Sequence, residues 1–287
     1  MEDISRMTAS SRLSFAAQEV RRFDRDRFVT VLFAPAERRE ALFGLYAFNQ
    51  EIARVRELVT EPMLGQIRLQ WWRDALDQLF DGAPVAHPVA EALAVAVRRH
   101  DLSRSPFDRL IDCRLIDLDD APPPTLAALE DYAEGTSSSL NVLVMEVLDV
   151  RNDASFRAAR HVGIAWALTG LLRAVPFHAA ARRLYLPAGL MAEHGVEAEQ
   201  VLSGQTSTGL AKLAEALAQR AREHLARARS YKEELPKTAL PGLYTALLAE
   251  RYLDRLGKAG FNPLDTRWSE TRPRPALLAL NAWLGRY

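Results

Sequence analysis

Between Ala41 and Leu76 the chain carries two consecutive helical patterns, interrupted at Thr60-Glu61-Pro62. In the first, Leu42, Leu45, Tyr46, Asn49, Ile52, Ala53 and Arg56 recur at helical spacing and make one stripe that starts apolar and turns polar within a few turns. A stripe that changes character lines something other than a uniform core. The second pattern is apolar on two sides, with Leu64, Ile67, Trp71 and Ala75 on one and Leu69, Trp72, Leu76 and Phe80 on the other, which predicts a central helix. Trp71 and Trp72 project about 100° apart, so at most one of them faces a given pocket squarely, and large aromatics are more often core than ligand platform.

The same periodicity predicts helices around this pair. A first helix is expected over residues 10–33, with a dense charged turn from Arg21 to Arg27, and a second over 35–59, where Pro35 suits a first turn. Beyond the third helix, shorter ones are expected over 88–99 and 106–118. A further pattern over 125–149 has an unusual middle, Glu134-Gly135-Thr136-Ser137-Ser138-Ser139, whose small residues predict either a close helix approach or a kink. A strongly apolar helix over 152–175 is stopped by Pro176, and amphipathic patterns follow over 209–234, 241–258 and 274–284. No strand alternation or hairpin signal competes, so the fold is predicted to be all-α. Without internal repeats or a long linker, residues 1–287 read as a single domain, with 1–11 expected to be disordered.

Composition narrows the function classes. With 48% hydrophobic and 26% charged residues the chain has a globular balance, and 37 Lys plus Arg against 37 Asp plus Glu argue against nucleic acid as partner. The single cysteine, Cys113, excludes an internal disulfide and reads as a half-buried core residue. No stretch approaches the ~18 uncharged apolar residues of a membrane span, so the chain is expected in the cytoplasm, with peripheral contact to the inner membrane left open.

The sequence holds no phosphate loop, nucleophile elbow or His pair at metal spacing. His87, His100, His161, His178, His194 and His224 are scattered and read as surface or capping residues. Asp117 with Asp120, beside the prolines at 122–124, reads as a solvated connector rather than a magnesium site. Glu51, Arg54, Arg56 and Glu57 admit two readings: surface partners at i, i+3, or, for Arg56 and Glu57 with Asn49, charges facing a cavity.

With these residues in hand the chain resembles the squalene/phytoene synthase family, all-α prenyltransferases that join two allylic diphosphates head to head. Arg38-Arg39, Ala41-Leu42 and Leu45-Tyr46-Ala47-Phe48 resemble the family's first motif. Gly82-Ala83-Pro84 with His87-Pro88-Val89 is similar to the turn that follows. Asp131-Tyr132 with Glu134-Gly135-Thr136, and Gly163 through Leu172-Arg173 with Arg183-Leu184-Tyr185-Leu186-Pro187, resemble the later motifs. The resemblance implies an isoprenoid-synthase-type helical bundle around a central cavity. It also implies two facing aspartate motifs that hold magnesium and draw diphosphate from the substrate. Here those acids fall on Ala53, Arg54 and Glu57 in the first motif and on Ala174, Phe177 and His178 in the second, so only Glu57 keeps a carboxylate.

The run from Asn49 to Glu57, with Gln66, Arg68, Gln70, Trp71, Trp72 and Arg73, resembles the branch represented by a mitochondrial complex I assembly factor. That branch is thought not to be catalytic. The expectation is therefore a noncatalytic synthase-like protein without cofactor, whose partner is a respiratory complex I subunit or assembly protein. Tyr46, Asn49, Arg54, Arg56, Glu57, Gln70, Trp71, Arg73, Tyr132 and Arg173 would line a remnant cavity able to hold a lipid, quinone or isoprenoid, including one with an anionic head group. The alternative is an active magnesium-dependent farnesyl or geranylgeranyl diphosphate transferase with nonstandard metal ligands.

Overall fold

The computed structural model describes residues 13–270 and 275–287, so the expected disorder of residues 1–11 lies outside the described residues. Every regular element among the described residues is helical, as the periodicity predicts. The expected first helix is two, α1 (Phe15–Phe23) and α2 (Arg25–Val31), because Asp24 leaves helical geometry and its side chain caps the Arg27 N–H at 3.0 Å. The second is likewise divided, into α3 (Ala36–Ala53) and α4 (Val55–Leu58), with Arg54 at φ −92°, ψ 0° between them. Then come α5 (Pro62–Phe80), α6 (Pro88–His100), α7 (Arg104–Leu115) and a 3₁₀ turn, Ile116–Leu118.

The unusual middle of the next pattern is a π-helical turn, Glu134–Ser138, between α8 (Leu126–Ala133) and α9 (Ser139–Val147). It also gives the close approach that its small residues predict. A Cβ on Gly163 of α10 (Asp153–Arg173) would stand 2.6 Å from the Ser138 Cα, and one on Gly135 would overlap the Cys113 sulfur. Asn141 and Ser138 then donate to the carbonyls of Ala159 and Arg160 across the contact. Cys113 is half-buried here, and burial pushes its thiol up.

Pro176 does not stop the chain's helical course. α10 breaks at Ala174 (φ −89°, ψ −1°) and Pro176 sits in the first turn of α11 (Val175–Ala180), where its missing N–H costs nothing. The remaining helices are α12 (Ala188–Glu193), α13 (Ala198–Leu202), α14 (Thr208–Arg229), α15 (Leu240–Leu243), α16 (Thr245–Lys258) and α17 (Pro275–Trp283). None is long and apolar enough to cross a membrane among the described residues.

The central helix is α10 rather than α5. Ala158, Val162, Ala165 and Leu168 are buried, and α10 packs against α8, α9, the π turn, α14 and α16. α5 is an edge helix. Its Gly65, Leu69, Trp72 and Leu76 face inward against α7 and the 3₁₀ turn, while Met63, Leu64, Ile67 and Trp71 form an exposed apolar stripe. The packing that matters for the site joins the C-terminal ends of α3 and α10, which reach the same space from opposite sides.

Candidate functional site

Both converging helices end in the same way. The N–H of Arg54 still donates to Gln50 and that of Ala174 to Gly170, but each residue leaves helical geometry, so each helix breaks one residue after its last full turn. Ala53 and Ala174 thereby line the cavity between them. An outer lobe of about 600 Å³ lies between α1–α2, α3 and α10, and an inner chamber of about 160 Å³ is walled by Arg27, Asn49, Arg114, Thr136, Trp166 and Gly170. A mouth-side lobe of about 390 Å³ includes Arg56, Glu57, Phe177 and His178. An apolar lobe of about 230 Å³, lined by Ile116, residues 122–124 and Leu184, shares Tyr132, Arg183 and Tyr185 with it.

The buried and half-buried arginines of this cavity are matched to carboxylates, while the exposed Arg25 of the outer lobe makes no ion pair with a described residue. Arg27 pairs with Asp24 at 2.9 Å while its guanidinium lies over Tyr46 and Trp166. Arg173 pairs with Asp26 at 2.9 Å and stacks on Tyr252 at 3.7 Å, and the Tyr252 hydroxyl donates to the same carboxylate. Burial pushes the Asp26 carboxyl up, and Arg173 opposes that shift. On the other wall Arg114 stands 3.1 Å from Asp117, whose Oδ1 also accepts 2.8 Å bonds from Tyr132 and Tyr185. Burial raises both phenols, so they remain neutral donors. Arg183 donates to the Asp117 carbonyl, and Arg56 pairs with Asp120 at 3.1 Å.

Asp117 is therefore not part of a solvated connector. It is 4% exposed because two tyrosines and an arginine from three segments converge on it, whereas Asp120 alone keeps the solvent-facing position. Some of the histidines also depart from a surface or capping reading. His100 is buried against Arg38 at 2.7 Å, and His224 is buried between His161 and Glu130, at 2.9 and 2.8 Å. His178 lies in the cavity 4.5 Å from the Tyr185 ring, and burial with the nearby Arg183 charge lowers its pKa to about 4.

Of the residues proposed from sequence, Asn49, Arg56, Glu57, Tyr132 and Arg173 line the cavity, with Ala53, Ala174, Phe177 and His178. Tyr46 is buried behind the wall against Arg27, and burial pushes its hydroxyl up to about 12. Arg54 turns away, 4.0 Å over Phe23 and 3.6 Å from Glu57. Gln70, Trp71 and Arg73 lie outside. Gln70 bonds Asp74, Trp71 is 42% exposed against His87, and Arg73 pairs with Asp112, because the inward face of α5 is fixed by Gly65, Leu69 and Trp72. Sequence reasoning missed Asp26, Arg27, Arg114, Trp166, Tyr185 and Tyr252. The charged turn from Arg21 to Arg27 signals Asp26 and Arg27, and the motifs from Gly163 to Arg173 and from Arg183 to Pro187 contain Trp166 and Tyr185, whereas nothing in the sequence singles out Arg114 or Tyr252.

The donor set does not fit magnesium. The ion takes hard oxygen ligands in near-octahedral geometry. Ala53, Ala174 and Phe177 offer none, His178 offers a neutral ring nitrogen, and Glu57 is beside Arg54. Among the described residues no group of three or more His, Cys, Asp or Glu could hold a metal ion.

The squalene/phytoene synthase profile matches residues 20–277. The chain belongs to the squalene/phytoene synthase family. Complex I assembly factor 6 of Bos taurus is 32% identical to it over 284 residues, covering 99% of this chain and 85% of the relative. A presqualene diphosphate synthase of Rhodopseudomonas palustris is 27% identical over 202 residues, 70% of this chain and 72% of that enzyme. Among solved structures, a dehydrosqualene synthase superposes with a TM-score of 0.83 at 19% identity, covering 94% of each chain. This family member thus has the isoprenoid-synthase helical fold, with alanines at Ala53 and Ala174 where the resemblance puts members of the two aspartate motifs.

Proposed function

We propose that this chain is a noncatalytic squalene/phytoene synthase-like protein that supports the assembly of respiratory complex I, in contact with a complex I subunit or assembly protein. One observation carries the reading: Ala53 and Ala174 line the cavity at positions of the two aspartate motifs, and the acids on its walls are engaged by arginines. Diphosphate departure from an allylic substrate needs a cation cluster to take up the developing charge. An alanine wall with internally matched ion pairs offers no such cluster. The near full-length similarity to complex I assembly factor 6 supports the second half of the reading.

Deleting the gene tests it. The expected outcome is a loss of NADH-oxidising complex I activity in the membranes, restored by the full chain supplied in trans. Normal complex I activity in the deletion strain would sink the proposal. The similarity to presqualene diphosphate synthase favours the alternative reading as an active prenyltransferase, which predicts instead that deletion removes a C30 or C40 product and leaves complex I intact.

A further inference from the structure

The inner chamber contains two polar side chains with no hydrogen-bond partner among the described residues, Asn49 and Ser137. Asn49 is 5% exposed, yet its carboxamide makes no hydrogen bond to any described residue and borders both the inner chamber and the outer lobe. Its amide atoms are not among the fully enclosed unpaired groups, so the carboxamide opens to the cavity with its donor and acceptor free for a bound molecule. The neighbouring charges are matched, although the Nε atoms of Arg27, Arg114 and Arg173 are buried without a partner. Arg27, Arg173 and Arg114 face Asp24, Asp26 and Asp117, and the hydroxyls of Tyr132, Tyr185 and Tyr252 are committed to the same Asp117 and Asp26 carboxylates.

We propose that the inner chamber takes the uncharged head group, a hydroxyl or a carbonyl, of an apolar-tailed molecule, with the Asn49 carboxamide as its hydrogen-bond partner. The proposal rests on the noncatalytic reading of the cavity and puts a neutral head group where an anionic one was expected. A phosphate entering here would meet a carboxylate beside each of Arg27, Arg173 and Arg114, so its charge would face matched ion pairs rather than a cluster of free cations. A hydroxyl or carbonyl asks for no charge, and a carboxamide can donate to or accept from it. Space is available opposite: Gly170 lines the chamber, and a Cβ built on it meets nothing within 4 Å. Leu171 is shared with the mouth-side lobe, where Ala53 and Ala174 add apolar wall for a tail.

Calorimetric titration of the full chain with farnesol, farnesyl acetone and farnesyl diphosphate, each with and without magnesium, tests this. One tail carries three heads, so the hydroxyl and carbonyl arms identify which neutral group is preferred. At least one neutral compound is expected to bind at least about tenfold more tightly than the diphosphate, with no effect of magnesium. Asn49→Leu should weaken that binding about tenfold, the loss of roughly one hydrogen bond. Gly170→Leu, which grows into open space, should abolish it with the thermal melt retained. Diphosphate binding as tight as the alcohol and the ketone, or no binding by any of the three, overturns the proposal. The complex I measurement in the deletion strain is independent, so a failure here leaves the assembly role to stand or fall separately.

Discussion

At the scale of single residues, environment rather than residue type decides what each ionisable group does. Asp117 and Asp120 are three apart in sequence, yet one is enclosed by Tyr132, Tyr185 and Arg114 while the other remains at the surface. No periodicity reveals this, because the enclosing groups come from α7, α8 and the segment after α11. The histidines give a measurable consequence. His178 and His161 each have a pKa lowered to about 4, the first by burial and Arg183, the second by burial, His224 and Arg160. Unfolded, both would titrate near 6.5. As pH falls below that value the unfolded chain takes up protons that the folded chain refuses until about 4, so folding stability declines across this window. Thermal melts should show a lower melting temperature at about pH 5 than at about pH 7. The double variant His161→Gln, His178→Gln should flatten that dependence, and a wild-type melt indifferent to pH over this range would contradict the assignment.

At the scale of elements, the sequence was most informative where a residue's size alone settles the packing. The run over 134–139 predicted a kink or a close approach, and the π turn against α10 supplies the close approach. The glycines of α10 divide accordingly. At Gly163 a methyl would press on the Ser138 backbone, which has no flexible end to move, so Gly163→Ala should destabilise the fold by roughly 2 kcal/mol or more. At Gly170 nothing stands in the way, and Gly170→Ala should stabilise it by about 0.5–1 kcal/mol through helix propensity. Urea denaturation of the two variants checks the pair. Equal effects of the same sign would mean that the contact between α10 and the π turn is misplaced. The reading of α5 as central failed for a related reason: two apolar faces were visible, but only Gly65 marks which one meets a neighbour, through Leu118. Gln70, Trp71 and Arg73 left the candidate site with that correction.

At the scale of the whole molecule, the all-α class and the ordered motifs were legible because helical period and motif order survive in one sequence. The charge state of the cavity was not. Arg27 and Asp24, Arg173 and Asp26, and Arg114 and Asp117 form three matched pairs around one space, and two of those acids lay unread in a charged turn near the start of the chain. The proposed function follows from a synthase-shaped cavity whose walls carry ion pairs at Arg27, Arg173 and Arg114 and alanines at Ala53 and Ala174. The most direct test is diphosphate release by the purified full chain incubated with farnesyl or geranylgeranyl diphosphate and magnesium at high protein concentration. The account predicts no release above a protein-free control, whereas sustained release that scales with protein concentration would contradict it.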